Sequence, residues 1–153
     1  MTVGRFNVFF LSVDSIPGDD YVLFQCEYLQ DYHETLARAR VDKKLNHADA
    51  HQKLCNDEAF AREYKFGARA YAKDPGGKAH DEPAPFDIDS IMLYKSTYFA
   101  NRDCFTDKTK CPLLKYAKAG ATIDRNQLEI IKQPTHPSDG DAKFIQRWYP
   151  ASP

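Results

Sequence analysis

The chain has 153 residues, enough for one domain with a buried core, and its 42% apolar and 28% charged residues lie in the ordinary range for a soluble globular protein. Lys and Arg number 21 against 22 Asp and Glu, and the formal net charge of -1 gives no footing to nucleic acid or an acidic membrane surface as the main partner. The 9 Tyr and 10 Phe suit a packed core beside an aromatic-lined cleft.

Residues 1–13 contain a basic Arg5 and a short apolar run over 8–11, interrupted by Asn7 and Ser12. The run is too short for a membrane span and no small-x-small cleavage site follows, so a signal peptide is not evident. A strand or a misread start is the expectation. Pro17 and Gly18 mark a turn, and residues 21–24 (YVLF) then read as a short strand. Residues 31–54 are polar and Ala-rich without Pro or Gly, which predicts one or two helices. Asn56 is the expected N-cap of a further helix over 57–64, with Asp57 and Glu58 in its first turn and Gly67 after its end.

Residues 74–85 (DPGGKAHDEPAP) are loop by composition. Farther on, Asp124 is expected to cap a helix to about Lys132, stopped before Pro134. Ser138 or Asp139 is expected to cap a second helix over 141–149, stopped by Pro150. In that helix Phe144, Ile145, Trp148 and Tyr149 fall at helical spacing and predict a core face.

The four cysteines, Cys26, Cys55, Cys104 and Cys111, form no C-x-x-C pair, so neither a zinc ribbon nor a thioredoxin-type site is indicated. Their even count fits two disulfides, for which three connectivities exist. The favoured one is Cys26–Cys55 with Cys104–Cys111, because the second pair brackets a polar, turn-like stretch. The alternative is four reduced, buried cysteines in a cytosolic protein.

Of the five histidines only His47 and His51 have ligand-like spacing, four apart on a predicted helix (HADAH). A zincin helix needs H-E-x-x-H, in which two imidazoles hold the metal and the Glu activates its water. Ala48 stands at the Glu position, and Asp57 where a third histidine would fall. Two solvent-facing histidines are therefore expected, not a metal site. No G-x-S-x-G elbow or phosphate-cradling glycine loop is present, and cysteines paired as disulfides leave no spare nucleophile.

Residues 85–94 (PFDIDSIMLY) carry the most specific signal. They resemble the Met-turn of the astacin family of zinc metallopeptidases, whose usual form is P-Y-D-Y-x-S-I-M-H-Y. Pro85, Asp87, Ser90, Ile91, Met92 and Tyr94 match, whereas Ile88 and Leu93 replace the common Tyr and His. The resemblance implies Met92 as an apolar base under the metal's histidines, with Ser90 part of the same turn. It implies Tyr94 as the catalytic residue, a fifth ligand or a donor to the developing oxyanion. Weaker likeness extends over residues 19–29, 111–114 and 137–150, where W-Y-P resembles the L-Y-P that ends the last helix in this family.

The resemblance implies an α+β fold, the helix- and loop-rich C-terminal subdomain of a metzincin-type peptidase, stabilised by disulfides and secreted. Its substrate would be a protein or peptide, and its cofactor zinc. The family's H-E-x-x-H-x-x-G-x-x-H-E precedes the stretch that begins at Asp19, and residues 1–18 contain no histidine. Residues 1–18 are thus a non-matching segment, and residues 19–153 the C-terminal part of an astacin-like domain. Either the start is misread, or the chain is a remnant that binds peptides without cleaving them. Without the zinc ligands and general base this chain alone is expected to hold no metal and to be inactive. A small helical interaction protein, unrelated to peptidases, is the competing class.

Overall fold

The computed structural model describes residues 21–71, 87–117 and 127–149. Among these residues four helices, α1 (Tyr32–Lys43), α2 (His47–Asn56), α3 (Glu58–Glu63) and α4 (Asp139–Trp148), accompany three short strands, β1 (Val22–Phe24), β2 (Leu113–Tyr116) and β3 (Leu128–Ile130). Single 3-10 turns stand at Cys26–Tyr28, Gly67–Tyr71, Arg102–Phe105 and Lys108–Lys110. The strands form one antiparallel sheet in the order β1-β2-β3. The fold is therefore mixed helix and small antiparallel sheet.

Strand alternation places the sheet between two packed layers. Val22 and Phe24 of β1 and Leu113 of β2 face the larger core, with Leu29, Leu36, Leu54, Phe66 and Tyr71. Leu23 and Leu114 point the other way, into a smaller cluster with Leu128, Ala100, Cys104 and Cys111. Each layer contains one disulfide: Cys26–Cys55 ties the turn after β1 to α2, and Cys104–Cys111 closes the loop entering β2. Both bonds of the favoured connectivity are thus present, and no free cysteine remains. Gln25, although polar, is buried because its side chain donates to the carbonyls of Thr109 (2.9 Å) and Cys111 (3.0 Å).

Several expectations need correction. Asn56 is the last residue of α2, and Asp57 caps α3 instead, its carboxylate accepting from Phe60 N–H at 3.0 Å. The left-handed residue after α3 is Lys65 (φ 54°), whereas Gly67 opens the next 3-10 turn. Residues 128–130, expected in a helix to Lys132, form β3. Leu114 pairs with Ile130, and the Lys115 ammonium meets the Glu129 carboxylate at 3.1 Å across the strands. Asp124, Pro150, the 74–85 loop and the 1–18 segment lie outside the described residues.

The last helix starts as expected, with Ser138 as N-cap in a reciprocal capping box with Asp141. Three residues of its expected core face, Phe144, Ile145 and Tyr149, are not buried. Ile145 and Tyr149 are 53% and 75% exposed, and Phe144 is only half-buried.

Candidate functional site

Residues 87–94 fold as two successive tight turns. Ser90 N–H donates to Asp87 C=O (3.3 Å), and Leu93 N–H to Ser90 C=O (3.1 Å). Such a short segment has little apolar area of its own, and its position is set by hydrogen bonds to the start of α4. Ser90 Oγ donates to Asp141 Oδ1 at 2.6 Å, and Ile91 N–H to Asp141 Oδ2 at 2.9 Å. Ser138 N–H also donates to Asp141 Oδ2 (2.9 Å), and Ser138 Oγ accepts from Asp141 N–H (2.9 Å). A second link runs from Ser138 Oγ to Asp87 Oδ2. Gln133 closes the outer side, its amide donating to Ile91 C=O at 3.0 Å.

Asp141 is buried, and burial alone would push its carboxyl pKa up. The hydrogen bonds from Ser90, Ile91 and Ser138 outweigh that and hold it below the usual aspartate value. The same carboxylate sits in the first turn of α4, where the helix dipole favours negative charge. Capping residue and turn anchor are therefore one group.

The turn presents its side chains unequally. Ser90 (4% exposed) and Leu93 (2%) point inward, whereas Met92 is 47% exposed. Ser90 Oγ also accepts from Met92 N–H (3.1 Å), which fixes the backbone from which that thioether projects. Tyr94 is half-buried in an aromatic stack. Its ring lies parallel to Tyr98 (centroids 4.5 Å apart, 22° between planes) and meets Tyr71 edge-on at 5.6 Å. Tyr71 in turn packs on Phe24 (4.7 Å), and its hydroxyl donates to Tyr98 C=O at 2.8 Å. Burial, and then Tyr98, raise the Tyr94 pKa, so its hydroxyl is protonated at neutral pH.

The two histidines at ligand-like spacing separate. His47 is exposed, as expected, but His51 is half-buried, and its Nδ1 lies 2.7 Å from Tyr32 Oη. Burial, and then Glu27, raise the Tyr32 pKa to about 12. The phenol therefore stays protonated at neutral pH, and its hydroxyl shares a hydrogen bond with His51 Nδ1 across the α1–α2 contact. Sequence spacing gave no sign of this bond, since Tyr32 lies on α1 and His51 on α2.

Among the described residues no group of three or more His, Cys, Asp or Glu side chains could hold a metal ion. The four cysteine sulfurs are committed to disulfides, and His51 Nδ1 is bonded to a tyrosine. This donor set among the described residues does not fit a zinc site. Among the described residues no helix is long and apolar enough to cross a membrane.

No protein-family model, no curated protein and no solved structure matches the chain.

Proposed function

We propose that this chain is the C-terminal half of a secreted, metzincin-type zinc endopeptidase acting on protein or peptide substrates, and that its 153 residues do not cleave peptides alone. The observation that carries this reading is the turn at residues 87–94. Its backbone is pinned to Asp141 through Ser90 and Ile91, while the Met92 side chain is left 47% exposed. An apolar side chain on an immobilised turn suits an apolar base beneath metal-bound imidazoles.

Tyr94 supports the same reading. Its protonated hydroxyl is in the donor form that a developing oxyanion requires, and stacking on Tyr98 and Tyr71 limits the ring's motion. Two disulfides suit an oxidising compartment and so a secreted protein. In the full-length family a bound zinc would supply an activated water, with ligands that are not among the described residues of this chain. The residues of this chain hold the turn, place Met92 and orient Tyr94.

A second reading, peptide binding without cleavage, is favoured by the same stack. The aromatic series Tyr71, Tyr94, Tyr98 and Phe99 leads from the core to exposed rings. Sequencing the mature transcript upstream of the Asp19 codon separates the two. The peptidase reading expects an in-frame H-E-x-x-H-x-x-G-x-x-H. A message that encodes residues 1–18 with no such helix before them would remove it and leave binding.

A further inference from the structure

A second surface lies beyond the Met92 turn, at the outer end of the aromatic stack. A groove of about 720 Å³ is lined by Gln30, Tyr98, Phe99, Arg102 and Phe105. Three of these are large aromatic residues open to water: Tyr98 is 36% exposed, Phe99 40% and Phe105 70%. A cluster of this kind is more than the scattered apolar exposure of an ordinary surface.

The groove is built on a constrained frame. Phe99 has φ 52°, a left-handed conformation that costs a bulky side chain about 1–2 kcal/mol. Its carbonyl accepts from Gln30 N–H at 2.9 Å, Ala100 bridges to Leu29, and Asn101 N–H donates to Tyr28 C=O at 2.8 Å. The Cys104–Cys111 disulfide holds the next turn, on which Phe105 stands. A surface fixed in this way loses little conformational freedom when a ligand docks.

Charge points to the occupant. Arg102 is the charged side chain among the described residues lining the groove, and the flanking sequence 95–110 carries Lys95, Lys108 and Lys110 against Asp103 and Asp107. Arg102 lines the groove, and the ion pairs among the described residues, Lys43–Glu63, Arg62–Glu58 and Lys115–Glu129, do not include it. Guanidinium beside aromatic faces is the arrangement that takes a carboxylate next to an apolar side chain.

We propose that this groove, lined by Phe99, Phe105 and Arg102, binds an extended acidic peptide segment through an apolar side chain flanked by carboxylates. The groove shares Tyr98 and Phe99 with the peptide-binding reading and rests on it, but it does not depend on the peptidase reading.

The test uses the whole chain, labelled with nitrogen-15, and three capped peptides: EEFLE, KKFLK and EEGGE. EEFLE is expected to shift the amide signals of Phe99, Arg102 and Phe105 saturably, while the other two do not. Phe105→Ser and Arg102→Glu, both at exposed positions, should each weaken EEFLE roughly tenfold with the remaining spectrum unchanged. Arg102→Glu should also allow KKFLK to shift the same signals. Absence of any EEFLE shift, or equal shifts from all three peptides, would overturn the proposal. So would chitotriose moving these amides where EEFLE does not, since the aromatic surface would then be a glycan platform.

Discussion

Ser90 Oγ and Asp141 Oδ1, 51 residues apart in sequence, share a buried hydrogen bond of 2.6 Å. Through it the carboxylate that caps α4 also holds the turn carrying Met92. Asp141→Ala removes the acceptor for Ser90 Oγ, Ile91 N–H and Ser138 N–H together. We expect a loss of about 2–4 kcal/mol for that change and about 1–2 kcal/mol for Ser90→Ala. Urea unfolding of both variants and of the double variant checks this. The double variant should lose clearly less than the sum, because both substitutions break one shared bond.

Acid stability follows from the same group. The Asp141 pKa is lowered in the folded chain, so the unfolded chain binds more protons and stability rises with pH across this titration. The contribution is present above the unfolded aspartate value of about 3.9 and is lost as pH falls through the lower folded value. Asp141→Asn should flatten this acid limb. An unchanged slope in denaturant midpoints measured across the limb would count against the assignment.

Alkaline stability has the opposite sign. Tyr32 is raised to about 12 by burial and then by Glu27, and Tyr71 is raised further by burial. Each contributes stability that is complete below the unfolded tyrosine value of about 10 and is lost as pH rises through the folded value. Tyr32→Phe also removes the bond to His51 Nδ1 and should cost about 1 kcal/mol at neutral pH. Ultraviolet titration of wild type and variant should show one late-ionising phenol disappear.

Gly140 reverses the usual helix rule. Alanine in place of glycine inside a helix ordinarily stabilises by about 0.5–1 kcal/mol. Here a Cβ would stand 2.2 Å from Asp87 Oδ2 and 3.0 Å from its Cγ. That carboxylate is held by Ser138 Oγ and by Asp89 N–H (3.1 Å), so it cannot move without breaking those bonds. Gly140→Ala should therefore destabilise by about 1 kcal/mol in the natural chain. In an Asp87→Ala background it should become neutral or stabilising, and thermal unfolding of the four proteins reads the difference.

The two disulfides should contribute unequally. Cys26–Cys55 closes a separation of 29 residues and Cys104–Cys111 one of 7. Chain-entropy arguments give about 3.5 and about 2.5 kcal/mol respectively. Paired Cys→Ala variants compared in urea should keep that order.

The sequence signals that survived were local and chemical. Ser138 was one of two caps expected for the last helix, and it is the N-cap. The cysteine bracket around residues 105–110 matches the short disulfide loop. Signals that depended on tertiary surroundings were harder to read. Leu128 to Ile130 looked helical beside an Asp and before a Pro, but the free edge of β2 took them as a strand. The α4 stripe predicted burial, yet Ile145 and Tyr149 face water. Asn56 and Asp57 are both good caps, and the choice fell to Asp57 because α2 continued through Asn56. The motif placed Ser90, Met92 and Tyr94 in one tight segment, and residues 87–94 do fold as successive turns. Asp141 as the anchor of Ser90 was not, because nothing in residues 85–94 specifies a partner 51 positions away.

The most direct test of the central functional claim is peptide hydrolysis by the purified chain with its disulfides intact. A quenched-fluorescence casein substrate is incubated with the protein, with and without added zinc and a chelator. No turnover above buffer is expected in any condition, because the chain contains no H-E-x-x-H and no group of three or more His, Cys, Asp or Glu among the described residues could hold a metal. Turnover that requires zinc and is abolished by the chelator would contradict it.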